Sequence, residues 1–271
     1  MGQPTQLFPR CFDVRILLDD APRYRGTIHD DAVARARGYK AALIPGAFVY
    51  GHISRVAIDS WGADWADRGA ISARFRKPVY NHDEVTVSAG PLADDGVFQR
   101  SMVSVRNGDD EEVATGWVAL AHEAVSPPDR AGLRLLPTPE DPPAVSPGEI
   151  QAGAPLKSRE RVLSAADFKT SLSAFAETHP IYEDIGFVHS GMLMRTAMGD
   201  VNSTWKFPAA VVLVEVETQH FERVYPGQSI RTAGHVAETF ERKGKHYLGT
   251  DEVLLADGRP AARFRRTQIY G

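Results

Sequence analysis

Two short apolar segments, each entered through a glycine, recur in this 271-residue chain. The first is Pro45-Gly46-Ala47-Phe48-Val49-Tyr50-Gly51-His52-Ile53, and the second is Ser190-Gly191-Met192-Leu193-Met194-Arg195. After each comes a long run that reads as strands, and the next strongly patterned segment carries a Val-Tyr pair, Val79-Tyr80 and then Val224-Tyr225. Gly46 and Gly191 are 145 residues apart, and so are Val79 and Val224. The length allows one large domain or two of roughly 130 residues, and either can bury a core. The repeat favours two similar units packed as a pseudo-dimer within one chain.

The formal net charge of -4, with both signs interspersed, presents no basic surface for nucleic acid or an anionic membrane. Cys11 is the single cysteine, which excludes an internal disulfide framework and fits a reducing compartment. No basic stretch followed by an apolar run opens the chain, and no run of about 18 apolar residues occurs. The expectation is a soluble cytoplasmic protein. The histidines lack metal-ligand spacing, and no nucleotide-phosphate glycine motif is evident, so no metal and no bound cofactor are expected.

Alternation predicts a strand over Phe12 to Leu18, and His29 to Arg37 reads as a short helix with Asp30 and Asp31 in its first turn. A helix from about Gly46 to Ser60 carries Phe48, Val49, Ile53, Val56 and Ala57 on one broad apolar face. Trp61 to Gly69 reads as a turn region. Strands are expected at Ser72–Phe75, Asp83–Gly90, Val97–Asn107 and Glu112–His122, with a register change at Met102 and a hairpin at Asn107-Gly108. Prolines crowd Pro127 to Pro155, which reads as a stiff extended connection. Beyond it, Arg159–Leu163 is a strand candidate, and Ser164 caps a helix through Phe168, Leu172 and Phe175. Strands follow at Ala210–Phe221, Ser229–Glu241, Lys245–Leu255 and Pro260–Ile269, with Asp257-Gly258 in the last hairpin. The organisation expected is a unit over residues 1–126, a linker over 127–157 and a second unit over 158–271.

These stretches resemble the MaoC-like (R)-specific enoyl-CoA hydratases and dehydratases in their tandem double hot-dog form. Ile28-His29-Asp30-Asp31 is similar to the end of the family's Asn-Pro-Ile-His-x-Asp stretch, and Gly38 through Gly46 to its Gly-Phe to His-Gly connection. Arg74-Phe75-Arg76-Lys77-Pro78-Val79-Tyr80 resembles its Arg-Phe-x-x-Pro-Val strand. In the second half, Phe168 to Ile181, His189-Ser190-Gly191-Met192-Leu193 and Val224-Tyr225-Pro226-Gly227 continue the resemblance. The fold class it implies is α+β, with two antiparallel sheets each wrapping a central helix.

The resemblance also implies a site in each half. Active members pair the motif histidine with an aspartate five residues earlier. Here His29 keeps the histidine but Tyr24 stands at the acidic position, whereas Glu177 keeps the acid and Tyr182 replaces the histidine. Neither half retains both. His29, with Asp31 nearby, and the Glu177/Tyr182 pair are the catalytic candidates, since imidazole, carboxylate and phenol can each move a proton. A helix-capping His29 and a core-packed Tyr182 are ordinary structural alternatives. Gly46 and Ala47, and Gly191 and Met192, mark helix starts whose N–H groups can hold a developing oxyanion, and His189 beside Gly191 is a candidate for contacting the acyl group, with a histidine packed between the units as the structural alternative. Arg74, Arg76 and Lys77 are candidates for attracting coenzyme A phosphates.

The function implied is reversible hydration or dehydration of an enoyl or 3-hydroxyacyl thioester, with coenzyme A or phosphopantetheine entering as part of the substrate. The partner is a small acyl thioester or an acyl-carrier protein, and a homodimer is allowed. An acyl thioesterase and a non-catalytic acyl-thioester-binding protein remain alternatives: the first would release a free thiol, and the second would bind without turnover.

Overall fold

The structure, a computed structural model, describes residues 8–18 and 22–271. Strands β1 (Arg10–Arg15), β2 (Gly69–Phe75), β3 (Glu84–Ala89), β4 (Ala93–Asp94), β5 (Phe98–Asn107) and β6 (Glu112–Ala121) come from the first half. The second half supplies β7 (Arg161–Val162), β8 (Val212–His220), β9 (Ser229–Arg242), β10 (Lys245–Ala256) and β11 (Arg259–Ile269). The helices are α1 (Asp31–Ala36), α2 (Gly46–Trp61), α3 (Ala63–Arg68), α4 (Ala165–Ala174), α5 (Ile181–Asp184) and α6 (Ser190–Asn202).

The expectation of two sheets is corrected: all 11 strands form one antiparallel sheet, in the order β1-β3-β5-β6-β2-β8-β11-β10-β9-β7, with β4 beside β5. The two halves meet where β2 pairs with β8, from Ala70 opposite Gln219 to Arg74 opposite Glu215. Each half ends in an edge strand with an unpaired row of backbone groups, and joining the edges satisfies both rows. The helices α2 and α6 pack against each other, and one apolar cluster runs through both halves, from Val49, Ile53 and Val87 to Leu193, Val216 and Phe264.

Trp61–Gly69 is not a simple turn. Gly62, at φ 58°, breaks α2, and α3 then forms because Ala63–Arg68 contains no glycine or proline and can bury Trp65 and Ala66. Strand β5 alternates regularly, with Ser101, Val103 and Val105 buried and Met102 exposed; its register shift lies further on, between Val105 and Arg106. The hairpin after it is built by the Asn107 side chain, whose Oδ1 accepts from the N–H groups of Asp109 (3.1 Å) and Glu111 (2.9 Å). Ser164 caps α4 as expected, in a reciprocal capping box with Asp167. Of Arg159–Leu163 only Arg161–Val162 pairs, against β9. Residues 127–157 hold no strand, and they pack Ile150 and Leu156 against Val201, Val236, Leu248 and Tyr270.

Candidate active site

Gly46 opens α2 behind Pro45, which has no side chain able to cap. Phe48 N–H turns back to the Pro45 carbonyl (2.9 Å), and the N–H groups of Gly46 and Ala47 have no partner among the described residues. A Cβ at position 46 would stand 3.2 Å from the Phe75 ring and 3.3 Å from Leu213, so glycine keeps this helix start open.

A cavity of about 410 Å³ lies against that start. Its walls are mostly apolar, with Ile44, Val49, Val79 and Val113 buried on the first-half side. The second half contributes Met198 and Asn202 from α6, Val211–Val214 at the start of β8, and Tyr247 and Ile269. Arg76, Lys77 and Lys245 line it with exposed side chains. Arg76 and Lys77 are engaged by Glu112 (3.2 Å) and Glu111 (2.6 Å), while Lys245 has no ion-pair partner among the described residues. Arg74 lies outside the cavity lining, on the strand junction, 3.8 Å from Glu215.

His29 also lines this cavity. Its Nδ1 lies 2.7 Å from the Leu43 carbonyl, which only accepts, so Nδ1 carries the hydrogen and Nε2 keeps a free lone pair. Burial lowers the imidazole pKa below its ordinary 6.5; the Leu43 bond works in the opposite direction, and the Arg195 charge adds to the lowering. A neutral base with one nitrogen anchored and the other available therefore stands in the same cavity as an uncapped helix N-terminus.

Asp31 is turned elsewhere. Its carboxylate accepts from Ala42 N–H (2.8 Å) and Arg35 Nε (2.9 Å), which ties the chain after α1 back to its start. Ala47 is fully buried just inside α2, and Met192 packs against the core.

Glu177, Tyr182, His189 and Gly191 also come together, but in a sealed cluster in the second half. His189 Nδ1 accepts the Gly191 N–H (3.0 Å), so the amide matching the first-half helix start is already capped. Phe175 stacks on the His189 ring, with centroids 4.5 Å apart, and fills the space over the glycines. A Cβ on Gly191 would stand 2.6 Å from that ring, and one on Gly51 would stand 2.4 Å away. Glu177 accepts the N–H groups of Thr178 (2.8 Å) and His179 (2.7 Å), and its Oε2 lies 3.7 Å from His189 Nε2. Burial opposes ionisation of Glu177, but His189 and the His179 N–H outweigh it and hold the carboxyl at about 2. Tyr182 is buried with its hydroxyl unpartnered, and burial pushes its pKa upward.

The cavity residues Met198, Asn202, Leu213 and Tyr247 have no sequence-level signal as a group, because they converge only when α6, β8 and β10 meet the first half around the cavity. The apolar run Val211–Val214 was the one visible hint, a strand start too uniformly apolar for a surface edge.

No protein-family model and no curated protein sequence matches the chain. Solved structures do. RV0216 from Mycobacterium tuberculosis, a double hot-dog protein, aligns at TM-score 0.66 and 15% identity over 96% of each chain. A Chloroflexus aurantiacus protein described as a MaoC domain dehydratase aligns at TM-score 0.61 and 16% identity, over 97% of this chain and 95% of its own. A MaoC-like dehydratase aligns at TM-score 0.62 and 14% identity, over 96% of this chain and 97% of its own. At such identities the likeness is one of fold: this chain has the hot-dog architecture of MaoC-like proteins, in its double form.

Proposed function

We propose that the chain catalyses reversible hydration and dehydration of an enoyl or 3-hydroxyacyl thioester in the cavity at His29. The observation that carries this reading is the shared cavity, lined both by His29, whose Nε2 has no partner among the described residues, and by Gly46 at the start of α2, whose N–H is likewise unpaired among them. In the dehydration direction, His29 Nε2 takes a proton from C2 of a 3-hydroxyacyl thioester. The negative charge moves onto the thioester oxygen, where the Gly46 N–H and the α2 N-terminus behind it stabilise it. The C2–C3 double bond then forms as the C3 hydroxyl departs with the proton from His29, leaving as water. Hydration is the reverse. One imidazole serves both transfers, which suits a site whose acidic partner position is Tyr24.

The apolar walls accept the acyl chain, and Lys245, Arg76 and Lys77 accept the phosphates of a coenzyme A or phosphopantetheine handle. The second half acts as wall rather than as a second site. Its interior carries the buried Glu252–Arg266 pair and Gln268, surroundings unsuited to an alkyl chain. On this reading residues 1–126 and 158–271 are two diverged units, and residues 127–157 connect them.

Mass-resolved turnover across enoyl-, 3-hydroxyacyl- and saturated acyl-CoA thioesters tests the proposal. Gain or loss of one water with the thioester intact is expected. Release of free thiol would make the protein a thioesterase, and saturable binding without either change would make it a binding protein.

A further inference from the structure

Tyr24 ends the short 3-10 turn Pro22–Tyr24 and is 8% exposed. Its ring meets the His29 imidazole edge to face, with centroids 5.5 Å apart and planes at 72°. It does not line the cavity, so its contact with the site runs through His29. The backbone adds a second link. The Tyr24 carbonyl accepts from Thr27 N–H (3.1 Å) and Thr27 Oγ1–H (2.7 Å), and Thr27 Oγ1 in turn accepts from His29 N–H (3.1 Å). His29 is thus held at its main chain by Thr27, at Nδ1 by Leu43 and at the ring by Tyr24.

The Tyr24 hydroxyl is engaged by its own neighbour. Arg23 donates to it at 3.2 Å and lies with its guanidinium carbon 4.6 Å from the ring centroid. What reaches His29 is therefore the aromatic ring.

We propose that Tyr24 is a positioning residue whose ring holds the His29 imidazole in the plane that keeps Nδ1 on the Leu43 carbonyl and Nε2 available to the cavity. The proposal rests on His29 being the base. An edge-to-face contact constrains ring orientation in a way that an aliphatic side chain of similar bulk does not. It also covers the imidazole from water.

Removing the ring rehydrates His29, and since burial is the leading cause of its lowered pKa, its titration moves upward. The other charges around it are accounted for. Arg195 acts from α6. Asp30 is spent on the Gly26 and Ala32 N–H groups, Asp31 on Ala42 and Arg35, and Arg76 and Lys77 on Glu112 and Glu111. Lys245, at the rim, is unchanged by the substitution.

The test follows the His29 imidazole by NMR titration, alongside kcat and KM, in Tyr24→Phe, Tyr24→Leu and Tyr24→Ala. Tyr24→Phe is expected to match the native protein in both readouts. Tyr24→Ala is expected to raise the His29 midpoint and lower kcat by about 10- to 100-fold, with a smaller change in KM. Tyr24→Leu, which keeps an apolar side chain and leaves a smaller void than Tyr24→Ala but has no planar ring, should behave like Tyr24→Ala and stands in for it if Tyr24→Ala does not fold. An unchanged titration in both Tyr24→Leu and Tyr24→Ala would overturn the positioning role. Loss of turnover in Tyr24→Phe would overturn it in favour of a chemical role for the hydroxyl. A shifted titration with turnover indifferent to His29→Gln would overturn the base assignment instead.

Discussion

His29 and Glu177 are both ionisable, partly or wholly buried groups at helix-proximal turns, yet their surroundings push them to different tasks. His29 Nε2 has no partner among the described residues and stands in an open cavity, and burial first of all lowers the imidazole pKa below 6.5. The neutral form is the base, so kcat/KM should rise with pH through a midpoint below the ordinary imidazole value and level off above it. His29→Gln should lower kcat by about 100- to 10,000-fold and abolish that rise. A pH–rate profile of the two proteins checks both expectations. Glu177 is depressed from its ordinary 4.5 to about 2. Its ionised form is favoured in the folded state, so its contribution to stability is complete above about 4.5 and is lost as pH falls toward 2. Glu177→Gln should lower stability at neutral pH by about 1–3 kcal/mol, leave turnover near native, and flatten the acid limb of stability measured by denaturant titration.

Among the elements, the two central helices differ most at their first turns. In α6 the His189 side chain takes the Gly191 N–H, and Phe175 covers what remains. In α2 the cap is Pro45, and the first two N–H groups face no protein acceptor among the described residues. Removing one donor without breaking the helix tests their role. Gly46→Pro deletes the N–H at a position where proline suits a helix. Gly46→Ala retains it while adding the same Cβ beside Phe75. We expect kcat to fall about 100- to 1,000-fold in Gly46→Pro and much less in Gly46→Ala, as steady-state kinetics would show. Equal losses in the two would assign the effect to crowding. Deeper in the same pair of helices, Tyr50 donates to Thr218 (3.0 Å) and shares a bond with Ser190 (2.8 Å), which is in turn 2.9 Å from His220. Burial holds the His220 pKa at about 3, so it remains neutral, and this polar seam fixes how the helices cross.

At the scale of the molecule, the β2–β8 pairing and an apolar cluster spanning both halves make one cooperative body. Calorimetry should show a single unfolding transition, and two separated transitions would contradict this. The repeat of Gly46 and Gly191 located both central helices from sequence because a glycine entering an apolar stripe is a local signal. The merger of two sheets into one was not legible, since an edge strand carries no mark of which other edge it will meet. The same distinction divides the site. His29 and Gly46 stand in short stretches readable one at a time, whereas Met198, Asn202 and Tyr247 reach the cavity only through tertiary packing. Phe175 read as one more apolar position on a helix face. That it ends α4 by covering Gly51 and Gly191 depends on three segments distant in sequence.

The most direct measurement is a crystal structure with an amide analogue of a 3-hydroxyacyl-CoA, in which N–H replaces the thioester sulfur, the carbonyl is kept and C2 is less acidic. The analogue's carbonyl oxygen is expected within about 3 Å of the Gly46 N–H, with C2 beside His29 Nε2. An analogue seated at Gly191 and Glu177, with Phe175 displaced from the His189 ring, would contradict it.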